Sequence, residues 1–253
     1  MNVTEPSGVG DKQSVGRFLS AAQTNQGRRN YNEDSFLDLP DRRIWAVADG
    51  MGGHTAGDVA SKMIVEQLAK VPAGGGPAEM ADAIDQQLDQ VNAELRQQAL
   101  QRKVPLIGST VVLLVACADF ALCGWAGDSR AYRFRDSSLA RLSRDHSTMQ
   151  EMMDTGMFTA ESLQGGGGSN NAITRAVGGE QKLVLDWTVA AYAPGTQFIL
   201  CSDGLTKEVP DPAIEAELRK GQAPEKAAGD LVNAALAAGG RDNVTVVVIR
   251  AEA

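Results

Sequence analysis

Apolar residues along this chain fall into two patterns. Short unbroken runs, Ile44-Trp45-Ala46-Val47-Ala48, Phe198-Ile199-Leu200-Cys201 and Val244-Thr245-Val246-Val247-Val248-Ile249, are bounded by turn residues and predict buried strands. Longer segments carry one apolar stripe. Over residues 55–70, Val59, Met63 and the run from Val65 to Leu68 make one face of a helix. Over about 78–101, Met80, Ile84, Leu88, Val91 and Leu95 recur at steps of four, four, three and four, again a helix. Pro72 to Pro77, with Gly74-Gly75-Gly76 inside, breaks the two helices apart.

Further strands are expected over 16–24, over 35–39 and 43–48 (joined by the turn Pro40-Asp41-Arg42), and over 109–117, 121–126, 131–134, 139–142, 183–189, 197–201 and 244–250. The close spacing in the middle of the chain predicts antiparallel hairpins and not βαβ crossovers. Helices are expected over 211–220, with Asp211 as cap and Pro212 at the first helical position, and over 223–238. Residues 1–13 are polar and aperiodic and predict a loose tail. Residues 145–179 are irregular and contain Gly165-Gly166-Gly167-Gly168-Ser169, which predicts a mobile surface flap. The alternation of strands and helices without an obvious linker predicts a single α+β domain over 14–253.

Composition narrows the function. The 253 residues are 43% hydrophobic and 22% charged, ordinary for a folded soluble chain that can bury a sizeable core. A formal charge of -8 argues against nucleic acid as a partner, since such binders present a basic face. No apolar run reaches the ~18 residues that span a bilayer, and the N-terminus lacks a basic-then-apolar signal pattern. The expectation is a cytoplasmic protein without a membrane partner. Cys117, Cys123 and Cys201 are odd in number, lie in apolar strand-like runs and form no CxxC pair, as reduced core thiols do.

The chemistry gathers on aspartates at strand ends. Asp49 ends an apolar run and precedes Gly50; Asp203 ends another and precedes Gly204; Asp242 precedes Asn243 and the last apolar run. If the strands flanking Asp203 and Asp242 are antiparallel neighbours, both acids land at one sheet edge, and Asp49 joins them if its strand runs in the same sense as the one ending at Asp203. Asp128, in Gly127-Asp128-Ser129-Arg130, is a fourth acid at a strand end. Carboxylates that converge raise one another's pKa. A divalent cation relieves this, and oxygen ligands without a His or Cys cluster select Mg2+ or Mn2+ over zinc. The polar loop Asn25 to Asp34 packs both signs of charge together, which an ordinary surface loop also does.

Six segments, Arg29-x-x-Asn32-Glu33-Asp34, Asp49-Gly50-Met51-Gly52-Gly53-His54, Gly108-Ser109-Thr110, Gly127-Asp128-Ser129-Arg130, Ser202-Asp203-Gly204 and Asp242-Asn243, stand in the order found in the type 2C protein phosphatases. The chain resembles the compact stand-alone bacterial kind of these metal-dependent Ser/Thr phosphatases over about residues 16–250. The resemblance implies a four-layer αββα sandwich, two antiparallel sheets flanked by helix pairs, with a two-metal site (Mn2+ or Mg2+) at one edge. Asp49, Asp203 and Asp242 would hold the first ion. Asp49 and the Gly50 carbonyl would hold the second, with Glu33 acting through water, so Asp49 bridges the pair. Asp34 would hydrogen-bond the water bound there. Two cations ~3.5–4 Å apart acidify a bridging water for in-line attack on phosphorus without a phosphoenzyme. Arg29 would bind the phosphoryl oxygens through its fork of donors; the alternative is an ion pair with Glu33 or Asp34. The implied substrates are phosphoserine and phosphothreonine proteins, and the implied setting is a monomer opposing a bacterial Ser/Thr kinase.

The chain departs from the family pattern in places. Where animal relatives carry a His after the Asp-Gly, thought to protonate the leaving alkoxide, this chain has Met51, as many bacterial members do. His54 is the nearest acid, with a structural role as the alternative. His146, in Arg144-Asp145-His146-Ser147, reads as structural. A third, weaker ion in the family uses aspartates matching Asp128 and Asp203 and often an acid four residues after the latter. Here that residue is Lys207, so a third site would need another ligand. The glycine run replaces a more usual polar, proline-containing stretch before Ile173-Thr174-Arg175-Ala176. Two rival readings are weaker. A nucleotide-binding turn fails because the third glycine of GxGxxG would fall at Thr55 and Asp49 would face the pyrophosphate. A catalytically weak binding module is disfavoured by retention of every motif acid.

Overall fold

In the computed structural model, which describes residues 16–52, 56–72, 74–156 and 172–253, two antiparallel sheets lie face to face between helices. The chain runs through β1 (Arg17–Asn25), β2 (Asp34–Leu39) and β3 (Ile44–Met51) into α1 (Ala56–Leu68) and α2 (Pro77–Arg102). Next come β4 (Gly108–Ser109), β5 (Val111–Ala116), β6 (Phe120–Ala126), β7 (Arg130–Arg135), β8 (Ser138–Arg141), α3 (Thr148–Asp154) and β9 (Asp186–Ala191). The last part comprises β10 (Gln197–Cys201), α4 (Asp203–Thr206), α5 (Asp211–Leu218), α6 (Pro224–Ala238) and β11 (Val244–Glu252). One sheet has the order β1-β11-β10-β7-β8; the other has β2-β3-β5-β6-β9, with β4 paired to β3.

The central strands read as unbroken apolar runs because both of their faces are covered. On β5, Val111, Leu113 and Val115 pack with Ile64 and Leu68 of α1 and Ile84, Leu88, Val91 and Leu95 of α2. Its alternate residues Val112 and Leu114 face the other sheet, meeting Phe198 and Leu200 of β10 and Val247 and Ile249 of β11. On the far side, Ile199, Cys201, Val244, Val246 and Val248 pack under Ile214 and Leu218 of α5 and Leu231 and Val232 of α6. Each fully buried aliphatic side chain contributes roughly 1.5–3 kcal/mol. The result is the expected four layers. The stripe on α2 behaves as its spacing requires, with Met80 only partly buried at the end of the row. Among the described residues no helix is long and apolar enough to cross a membrane.

Several boundaries differ from the pattern-based expectation. β3 does not end at the glycine turn; it continues through Gly50 and Met51, which pair with Ser109 and Gly108. The strand expected over 109–117 is correspondingly split at Thr110, whose N–H donates to the Asp49 carbonyl at 2.9 Å. The strand expected over 183–189 starts at Asp186, because Leu183 and Leu185 are buried against the α1–α2 layer without a strand partner. The irregular 145–179 segment contains α3, capped by the Ser147 side chain, which accepts from the Gln150 N–H. Asp211 is not a cap: Pro210 holds that position, and the Asp211 carboxylate accepts from the Tyr132 hydroxyl at 2.9 Å. The tail 1–13 and the run Gly165 to Ser169 lie outside the described residues.

Candidate active site

Strand parity places the first two acids. Trp45 and Val47 of β3 face the opposite sheet, and Asp49 continues that row near the strand's end, directly opposite Asp34 of β2 in the register. Asp34 reaches across the sandwich. Its Oδ2 accepts from the Ser202 hydroxyl at 2.8 Å and the Thr245 hydroxyl at 2.7 Å. The donors behind it are ordered: Asn32 Nδ2 donates to the Thr24 hydroxyl, which stands 2.8 Å from that of Thr245.

Asp203 and Asp242 arrive as the antiparallel condition requires. Cys201 pairs with Val246, and the Ser202 N–H donates to the Thr245 carbonyl at 3.0 Å, so the residues just beyond β10 and just before β11 share one edge. The approach is close enough that a Cβ at Gly204 would lie 1.9 Å from the Asn243 carbonyl oxygen. Asn243 ties the edge together. Its Oδ1 accepts from the Glu33 N–H at 2.9 Å, while its Nδ2 donates to the carbonyls of Gln26 and Tyr31, both at 2.9 Å. The Glu33 carbonyl in turn accepts from the Gly50 N–H at 3.1 Å. A Cβ at Gly57, in the first turn of α1, would lie 2.6 Å from Glu33 Oε1, so the carboxylate needs that bare backbone.

Asp128 follows β6 and is held from two sides. The Asp49 N–H donates to the Thr110 hydroxyl, which is 2.7 Å from the hydroxyl of Ser129. The Gly127 N–H donates to His146 Nδ1 at 3.1 Å, leaving the proton on Nε2, 3.1 Å from Asp186 Oδ2. His146 also stacks on Trp125. It is a structural residue, as expected.

Electrostatically the acids are under stress. Burial, then the charges of Asp34, Asp203, Asp128 and Asp242, push Asp49 well above the usual carboxylate range. Burial pushes Asp34 up to about 7, against the lowering effect of Thr245 and Ser202. Burial and then Asp203 push Asp128 up to about 7. Asp203 is raised by burial in spite of Lys207. Asp242 alone of these lies low, because Arg29 and Lys207 outweigh the burial that would raise it. Glu33 Oε1, Asp34 Oδ1, Asp128 Oδ1 and Asp203 Oδ1 are buried without a hydrogen-bond partner. Orphaned carboxylate oxygens of one sign fit hard divalent cations that take oxygen ligands. Among the described residues no three such side chains converge on one point in this geometry; Arg29 and Lys207 pair with two of the acids.

Arg29 corrects one expectation. Its ion pair is with neither Glu33 nor Asp34: Nη2 donates to Asp242 Oδ2 at 2.8 Å. It stands at an open cleft of 360 Å³, lined also by Gly204, Lys207, Glu208, Arg241 and Asp242. His54 lies outside the described residues. The residues that pattern reasoning did not assign are Thr110, Ser202, Asn243 and Thr245. Thr245 had a signal: it is a polar residue in an inward-facing position of an otherwise apolar strand.

Comparison with known proteins points one way. A family model described as Protein phosphatase 2C matches residues 23–238. The serine/threonine phosphatase stp of Listeria welshimeri is 32% identical over 236 residues, covering 90% of this chain and 93% of that protein. A solved structure of PppA, described as a key regulatory component of T6SS in Pseudomonas aeruginosa, superposes with a TM-score of 0.87 at 40% identity, over 94% of this chain and 100% of that one. The catalytic domain of the serine/threonine protein phosphatase PstP, in complex with two manganese ions, gives 0.83 at 30% identity, over 94% of this chain and 99% of that one.

Proposed function

This chain belongs to the protein phosphatase 2C family, and on that premise we propose how its own residues divide the work. It is a metal-dependent serine/threonine protein phosphatase, and its substrates are phosphoproteins. The observation that carries the assignment of residues is the gathering of Asp49, Asp203 and Asp242 with Asp34 and Glu33 at one edge, with buried oxygens left unpartnered. Asp49, Asp203 and Asp242 would hold the first ion. Asp49 and the Gly50 carbonyl would hold the second, with Glu33 acting through water, so that Asp49 would serve both ions. The chemistry such ions, Mn2+ or Mg2+, would supply there is an acidified water and neutralised phosphoryl charge.

The other roles follow from donors and protons. Arg29, at the mouth of the open cleft, binds the phosphoryl oxygens with its planar fork. Asp34 commits Oδ2 to Ser202 and Thr245, which leaves Oδ1 to orient a water. His54 protonates the departing alkoxide: Met51 has no proton to give, and His146, the chain's other histidine, is committed to Gly127 and Asp186. Residues 14–253 act as one catalytic domain, supported by a separate apolar cluster at each of the three interfaces between layers. The setting is a cytoplasmic monomer that reverses the work of a Ser/Thr protein kinase.

Hydrolysis of a phosphothreonine peptide is expected with Mn2+ and is expected to vanish with EDTA; activity surviving chelation would refute the metal assignment. In the same assay His54→Ala is expected to lose the alkaline limb of the pH profile, and an unchanged profile would clear His54 of the role.

A further inference from the structure

Lys207 is the residue of the site that its proposed chemistry leaves over. It caps the C-terminal end of α4, four residues after Asp203, so the helix turn returns its side chain to the acid that opens the helix. Its ammonium pairs with Asp203 and stands 3.5 Å from Asp242 Oδ2. It also acts on Asp128, whose carboxyl it stabilises in the charged form. Asp128 and Asp203 each keep one buried oxygen without a hydrogen-bond partner. Between them lies a cavity of 130 Å³, into which Lys207, Arg130, Arg141 and Asp145 also face. The two arginines are already taken, since both donate to Asp145. Among the described residues lining that cavity, Lys207 is the cation left for Asp128 and Asp203.

We infer that the Lys207 ammonium is the resident cation of the Asp128–Asp203 pair, and that it excludes a further divalent ion from that position. The inference rests on the two-metal reading above. Formal charge supports it: with all six ionised once metal is bound, Glu33, Asp34, Asp49, Asp128, Asp203 and Asp242 are matched by two divalent ions together with Arg29 and Lys207. A further divalent ion would leave the site with excess positive charge. Geometry supports it as well. An ammonium has three rotatable donors and no acceptor, so it can satisfy oxygens from several carboxylates, but it cannot ligate a metal while it stays charged. A carboxylate at the same helical position would reverse both properties, adding an oxygen ligand and removing the competing charge. Lys207 thus acts as a positioning residue, holding Asp203 by its ion pair and acting on Asp128 through charge.

Metal stoichiometry tests this independently of turnover. Protein stripped with EDTA and desalted is titrated with Mn2+ alone, with free Mn2+ read by electron paramagnetic resonance. Wild type is expected to saturate at two Mn2+ per chain, Lys207→Asp at three, and the double variant Lys207→Asp with Asp128→Asn at two again. Circular dichroism checks that the variants fold. Lys207→Met, which removes the ammonium without adding a ligand, is the second variant and is expected to admit the extra Mn2+ more weakly. Three ions on wild type, or no gain in either Lys207 variant, would overturn the inference. Fewer than two on wild type would count against the two-metal reading, while the gain on replacing Lys207 still reports on Lys207 itself.

Discussion

Arg29 keeps 59% of its side chain in solvent while it donates to Asp242. Exposed ion pairs of this kind contribute only ~0–1 kcal/mol, so the guanidinium can leave Asp242 for a phosphoryl group at little cost. Hydrogen bonds to a charged acceptor are worth about 1.5–3 kcal/mol, so Arg29→Ala should lower kcat/KM on a phosphothreonine peptide by roughly tenfold or more. Arg29→Lys should recover only part of this, because a point charge lacks the bidentate fork. Equal steady-state constants for Arg29→Ala and wild type would remove Arg29 from the site. The cysteines are poor nucleophiles by the same residue-level reasoning: burial pushes the Cys123 and Cys201 thiols up to about 12.

At the scale of elements, each site acid sits at or near one end of a strand, and a neighbouring element fixes that end. The turn carrying Asp128 is the clearest case. It hangs on His146, whose Nδ1 accepts from the Gly127 N–H. Burial, and then Arg175, lower the His146 pKa, although Asp186 pulls the other way. Protonating Nδ1 would also break the bond to Gly127. The unfolded chain therefore takes up this proton first as pH falls. The stability contributed by neutral His146 is complete above about 6.5, the ordinary histidine value, and is lost progressively below it. Melting temperature should drop from about pH 7.5 to about pH 5.5 more steeply in wild type than in His146→Gln; equal slopes would assign the pH response elsewhere. α2 was legible from spacing because a helix stripe needs only its own periodicity. The last residues of β3 were not, because Gly50 and Met51 find their partners in β4, supplied by a distant segment.

For the molecule as a whole, the site trades stability for metal binding. Without metal, Asp49 is repelled by Asp34, Asp203, Asp128 and Asp242. Asp49→Asn removes that repulsion, so the chelated variant should melt higher than chelated wild type. Mn2+ at ~100 times its Kd adds about 2.7 kcal/mol for a single site, which for a chain of this size raises the melting temperature by roughly 5–10 °C. Wild type should show that rise and Asp49→Asn should not. The variant should also lose more than about 100-fold in turnover, since residues that merely orient ligands already cost 10–100-fold. A variant that melts no higher under EDTA, or that still gains from Mn2+, would refute Asp49 as the bridge.

The amino-acid sequence by itself determined the buried strands, the striped helices, and the order of acids and glycines to which the metal chemistry is assigned. Periodicity and motif order are properties of neighbouring residues and need no partner. Only the tertiary structure decided which groups face one another. It set Arg29 against Asp242 and not against Glu33 or Asp34. It joined Asp34 to Ser202 and Thr245 across the two sheets, and made Asn243 the tie between Glu33, Gln26 and Tyr31. It also turned Lys207 back onto Asp203 and Asp242. Most of these pairings join distant parts of the chain, and they exist because the packed cores between the layers bring β2, β3, β10 and β11 to one edge. Charge at that edge acts over a few ångströms, and that distance is set by packing.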